Sequence, residues 1–323
     1  MMNRIVYLDY LKIIGLFFVI LAHVSPPTFI NQFRSFDVPL LVLVSGYLAS
    51  KSYKSSSTKA YLWKRFKRLV LPAWIFCFIF LPIRICFLSI PSWEELIKEF
   101  TFQRDSDVLG FLWVIWVYLI CACIIPYISK IKFSSVSLFY IIIIFLCFEL
   151  LSKTNLVDNR FLYVSFFTIV PYGCITFLGF NLDKIMRPKI WIIIFLTIYI
   201  IMAIAFLIYR GSYVQTAVSK YPAQLYYLSY AIGISLLLFF VLQGRELPTN
   251  KLVNFISSSS LWIYLWHILV LYAVKMIIIN DKLWLIQYII IIVFSCIITY
   301  IQNLIVDRLI KKYNIKWLNI FKG

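Results

Sequence analysis

Continuous apolar stretches of about twenty residues recur along the whole chain, separated by short polar connections. A run of that length matches one helical crossing of a bilayer. The runs are unbroken rather than alternating, which argues for helices and against a transmembrane barrel. Ten spans are expected, at 5–24, 36–53, 69–88, 108–128, 136–151, 161–180, 190–209, 225–242, 257–279 and 283–306. The longest connections are a basic segment, 54–68, and an acidic one, 89–107. The pattern therefore predicts an all-α, polytopic integral membrane protein. It forms a single transmembrane domain over 1–323, with no separate soluble domain.

Composition agrees. Hydrophobic residues make up 63% of the 323, charged residues only 14%, and the mean hydropathy is +0.92. A soluble globular domain carries about 25% charged residues, so that class is excluded. The net charge of +18 would suggest nucleic acid in a soluble protein. Here the charges lie between spans, and their distribution reads as topology. With the N-terminus in the cytoplasm, Lys and Arg concentrate on the inner side, above all in 51–68, while the outer loops are nearly neutral. No nucleic-acid partner is expected, and both termini are expected on the cytoplasmic side. The first apolar run is too long for a cleaved signal and carries Asp9 and Lys12. Cys77, Cys86, Cys121, Cys123, Cys147, Cys174 and Cys296 form no CxxC pair and read as small apolar residues, not as a metal site or disulfide framework.

Ionisable groups inside spans are functional candidates. The first span has three: Asp9, Lys12 and His23. On one continuous helix they would fall within about 60° of one another, with Lys12 and His23 about 16 Å apart along the axis. Asp9 and Lys12 also fit a simple i,i+3 pair at the inner interface, with Lys12 snorkelling. His23, one of only two histidines, also fits an interfacial hydrogen-bonder. Ser45-Gly46 reads either as a small-residue helix contact or as an opening for substrate. Arg65 and Arg68, beside Lys64 and Lys67, read either as head-group-binding charge or as a phosphate clamp. His267 is either a second participant or a structural hydrogen-bonder. Arg84 and Glu149 are weaker candidates that snorkelling accounts for.

Several segments together resemble the membrane-bound acyltransferase family known as acyltransferase 3. They are Tyr7-Leu-Asp-Tyr-Leu-Lys12 with His23, Phe36-Asp-Val-Pro39, Ser45-Gly-Tyr-Leu48, and Lys64-Arg-Phe-Lys-Arg68-Leu-Val-Leu-Pro72. Phe111-Leu-Trp113 and Tyr264-Leu-Trp-His267 resemble two later motifs of the family. Many members carry Arg at the position of Lys12, so charge is kept here and the bidentate fork is lost.

The resemblance implies transfer of an acyl group, often acetyl, from cytoplasmic acyl-CoA to a hydroxyl of a surface-polysaccharide or glycolipid sugar. The setting would be a bacterial inner membrane. Catalytic roles then fall to His23, Asp9 and Lys12, and donor binding to Arg65, Arg68, Ser45 and Gly46. His267 and Trp113 form a possible second polar site. Acetyl-CoA acts as a substrate, with no permanently bound cofactor and no metal; the partners are membrane lipid, the carbohydrate acceptor and the donor. The competing class is a carrier or flippase for lipid-linked sugars.

Overall fold

The computed structural model describes residues 4–53, 57–154 and 160–322. Among these residues all regular structure is helical and no strand occurs. That is what a bilayer imposes: each backbone N–H and C=O must be satisfied within its own segment. In chain order the α-helices are α1 (Val6–Leu21), α2 (Thr28–Phe33), α3 (Asp37–Tyr53), α4 (Thr58–Phe87) and α5 (Trp93–Phe100). Then come α6 (Trp113–Ile128), α7 (Ser135–Leu151), α8 (Arg160–Phe180), α9 (Pro188–Arg210) and α10 (Leu225–Leu242). The last are α11 (Lys251–Ser258), α12 (Ser260–Ile277) and α13 (Trp284–Tyr313).

The chain is an all-α, multi-pass membrane protein. Each of the ten expected spans falls on a helix. Among the described residues six are long and apolar enough to cross a membrane: α4, α6, α9, α10, α12 and α13, with α6 and α13 each extended by a preceding 3₁₀ turn. Of the others, α1, α3 and α7 have 16, 17 and 17 residues and α8 has 21. Ten full crossings are thus an expectation that helix length alone does not meet.

Three boundaries differ from the apolar pattern for local reasons. The basic connection is helical from Thr58, because the Ser57 hydroxyl caps α4 by accepting from the Ala60 amide at 3.3 Å. The acidic connection contains α5, capped by Ser92 accepting from the Glu95 amide. The span expected at 257–279 breaks at Ser259, within a run of serines whose hydroxyls compete for backbone groups. Ser259 Oγ accepts from Asn303 at 2.9 Å and donates to the Lys322 carbonyl at 3.3 Å.

The helices fall into two compact units. Unit 1 comprises 1–18, 27–56 and 120–248; unit 2 comprises 19–26, 57–119 and 249–323. In unit 1, α3 lies backbone to backbone on α8. A Cβ on Gly46 would stand 2.6 Å from the Thr176 carbonyl oxygen, and one on Gly179 would meet the Leu43 carbonyl. Helix α10 runs through the interior of this unit, while α9 presents most of its surface outward as a lipid face. In unit 2, α12 and α13 pair, tied by Trp266 Nε1–H donating to Gln302 Oε1 at 2.7 Å. The C-terminal 3₁₀ segment Lys316–Phe321 closes on α12, where Trp262 Nε1–H donates to the Ile320 carbonyl at 2.9 Å.

Candidate functional site

His23 is not on the helix where its spacing from Lys12 placed it. Helix α1 ends at Leu21. The amides of Ala22 and His23 bond back to Val19 and Ile20, a tightened last turn, at 3.1 and 3.0 Å. Ser25 then takes a left-handed φ of +49° before Pro26-Pro27, which cannot continue a helix. The stripe of Asp9, Lys12 and His23 on one helical face is therefore corrected: His23 sits in the turn past the helix, in unit 2, and Asp9 and Lys12 belong to unit 1.

Within unit 2 the chain brings both histidines together. The rings of His23 and His267 stack with centroids 5.4 Å apart and planes 26° from parallel. The edge of the pair is closed by Phe111, whose ring is 4.4 Å from that of His23. Tyr264, one turn before His267 on α12, locks the arrangement in two ways. Its hydroxyl donates to the Phe111 carbonyl, and its own carbonyl accepts from Nδ1 of His267. A carbonyl can only accept, so Nδ1 carries the proton and Nε2 of His267 holds a lone pair. His267 is fully buried, and among the described residues Nε2 has no hydrogen-bond partner. Trp113, the first residue of α6, is half-buried two positions beyond Phe111.

Arg65 and Arg68 lie on the first three turns of α4. Arg65 packs its guanidinium over the Tyr61 ring at 5.1 Å, and Lys67 lies over Trp63 at 5.5 Å. Arg68, Lys64 and Lys67 are exposed and Arg65 is half-buried. Among the described residues none of these four cations forms a salt bridge. The result is a compact basic surface, framed by aromatic rings and open to an anion.

In unit 1, Asp9 is buried and shared. Arg4 Nε–H donates to one carboxylate oxygen at 2.6 Å, and Lys12 Nζ stands 3.6 Å from the other. The Asp9–Lys12 pair is thus present, and Arg4 makes the shorter contact. Gly46 resolves toward the helix-contact alternative: its open face is filled by α8, which leaves no room there for a donor. Ser45 beside it is half-buried.

Two weaker candidates are not snorkelling. Arg84 and Glu99 pair with each other, both almost completely buried. Burial pushes the Glu99 carboxyl up to about 7, against the pull of Arg84. The clue in the sequence was Glu95 and Glu99 one helical turn apart on α5. Glu149 Oε2 accepts from the Leu225 amide at 3.2 Å, satisfying an otherwise unpaired donor in the first turn of α10.

A second buried polar cluster, in unit 1, escaped the reading of the sequence. Asp37 accepts from Arg34 Nη1 at 2.5 Å, from the Val38 amide at 2.7 Å and from Lys220 Nζ at 3.4 Å. Close by in sequence, Gln32 Oε1 accepts from the amide and hydroxyl of Thr216. Burial lowers the Lys220 ammonium from its ordinary value, and Asp37 draws it back up. Asp37 lies in the motif Phe36-Asp-Val-Pro39, but its partner Lys220 is far away in sequence.

The profile of a family described as an acyltransferase domain (acyltransferase 3) matches residues 5–303, nearly the entire chain. Neither a curated protein nor a solved structure matches it.

Proposed function

This chain belongs to the acyltransferase domain family, and on that premise we propose that it is a membrane O-acyltransferase using acetyl-CoA or another acyl-CoA. The acceptor is a hydroxyl of a surface-polysaccharide or glycolipid sugar. The observation that carries the reading is the imidazole pair of His23 and His267. A neutral imidazole is the side chain best suited to take a hydroxyl proton near neutral pH.

In this scheme His23 removes the proton of the acceptor hydroxyl as its oxygen attacks the thioester carbonyl. A C–O bond forms, the C–S bond breaks, and the coenzyme A thiolate leaves and takes the proton from the imidazolium. Atoms and charge balance without a metal or a bound cofactor. The open basic surface of Arg65 and Arg68 suits the phosphates of the donor, because guanidinium pairs with phosphate bidentately.

The membrane is read as a bacterial inner membrane with the basic turns of α4 and both termini in the cytoplasm, supported by the concentration of Lys and Arg on that side. Cysteine placed at Ala60 in a background lacking native cysteines tests the orientation. It should resist an impermeant thiol reagent in intact cells, and labelling would reverse the topology. The reaction itself is tested by mass spectrometry of the surface glycan with and without the protein. Acyl esters should be present only with it. A glycan identical in both, or one still acylated but no longer exported, would favour a carrier instead.

A further inference from the structure

Among the described residues, His267 Nε2 is a buried acceptor with nothing to accept from. The opposite side of the same ring is fixed by donation from Nδ1 to the Tyr264 carbonyl, and Tyr264 is itself anchored to Phe111. Two consequences follow from the chemistry of imidazole. The ring cannot donate through Nε2 in this tautomer, so it is unsuited to hold an oxyanion. It can receive a hydrogen bond, and the group that supplies one must bring its own proton. The near-parallel stacking on His23 is a face-to-face contact, so it does not take up the in-plane lone pair of Nε2.

We propose that Nε2 of His267 accepts the hydrogen bond of a sugar hydroxyl next to the attacking one and so holds the attacking hydroxyl beside His23. This rests on the acyltransferase reading and deepens it by naming the residue that touches the acceptor. His267 is thereby assigned to the acceptor half of the reaction, and donor affinity should be indifferent to it. The proton of the attacking hydroxyl passes to His23; His267, bonded to the neighbouring hydroxyl, sets where the attacking oxygen stands.

Two substitutions separate this role from a structural one. His267→Asn keeps a polar group at the Nδ1 position, facing the Tyr264 carbonyl, and deletes Nε2. His267→Gln places an amide oxygen near the position of Nε2. The assay uses the full-length protein in detergent, with acetyl-CoA as donor and the total glycolipid extract of producing cells as acceptor. The Asn variant should lose about ten-fold or more in kcat/KM for acceptor. The Gln variant should recover part of that loss, and both should bind acetyl-CoA like the wild type, which also reports that they are folded. If the Asn variant does not reach the membrane, His267→Leu replaces it in the comparison with Gln. Wild-type acceptor kinetics in the Asn variant, or a Gln variant worse than Asn, would overturn the proposal. If the unaltered protein transfers no acetyl group, the acyltransferase reading itself fails. If transfer is lost in His23→Ala but intact in His267→Asn, only the role of His267 fails.

Discussion

Buried polarity is treated in opposite ways in two regions of this molecule. In unit 1 the Asp37 carboxylate collects three donors, from Arg34, Lys220 and the Val38 amide, and the neighbouring Gln32 is bonded on both sides of its amide. In unit 2 the His267 imidazole is equally buried, yet among the described residues one of its two nitrogens has no hydrogen-bond partner. A satisfied buried cluster fixes helices. An open one costs stability, because a buried group without a partner loses its hydration for nothing, typically about 1–3 kcal/mol. Such a cost persists where a ligand repays it. On the proposed acyltransferase reading, the satisfied Asp37 cluster is structural and the imidazole pair of His23 and His267 carries the chemistry.

The sharpest way to break that assignment is to delete each centre and ask which property fails. His23→Ala should lower acyl transfer by about 10²–10⁴-fold, the usual contribution of a general base, while membrane level and thermal unfolding in detergent stay near wild type. Asp37→Ala should do the reverse. Removing the anion strands two buried cations, and breaking a buried pair typically costs about 3–5 kcal/mol. Its thermal midpoint and membrane level should fall, and the residual folded protein should keep its kcat. If Asp37→Ala were stable but inactive, the division between the two regions would be wrong.

Smaller effects sharpen the picture. Arg68→Ala removes one exposed cation from α4 and should weaken acetyl-CoA by roughly ten- to a hundred-fold, the worth of a charge-assisted contact, read as the apparent donor constant. An unchanged donor constant with reduced insertion would make Arg65 and Arg68 topology signals alone. The smallest effect concerns Glu99. Its folded-state carboxyl is raised to about 7 from an ordinary value of 4.5, so the folded protein holds a proton the unfolded chain has released. The associated stability is fully present below about pH 4.5 and is lost as pH rises through about 7. Thermal midpoints should therefore decline across that window, and Glu99→Gln should flatten the decline. An equal slope in the variant would assign the pH dependence elsewhere.

The helical class was legible because apolar runs of membrane length admit few alternatives, and each expected span falls on a helix. The ends were less legible, since they turn on single side chains: Ser57 and Ser92 start helices inside connections, and Pro26-Pro27 stops α1 short of His23. Helical periodicity therefore misplaced His23, although its type and rarity had marked it. The meeting of His23 with His267 depends on tertiary packing of segments at opposite ends of the chain, which no local spacing encodes. Gly46 had two readings at the level of sequence, and only the proximity of the Thr176 carbonyl separated them. Arg84 looked like a snorkelling residue because its acid, Glu99, lies across a turn on a different helix.

The central claim is that the open imidazole site transfers an acyl group from a cytoplasmic donor. Inside-out membrane vesicles supplied with isotopically labelled acetyl-CoA test it directly, with the label followed into the glycolipid fraction. Label should appear in alkali-labile esters with the unaltered protein and be nearly absent with His23→Ala at equal membrane level. Label reaching the glycolipid equally with both proteins, or with neither while glycolipid still crosses the membrane, would contradict the account.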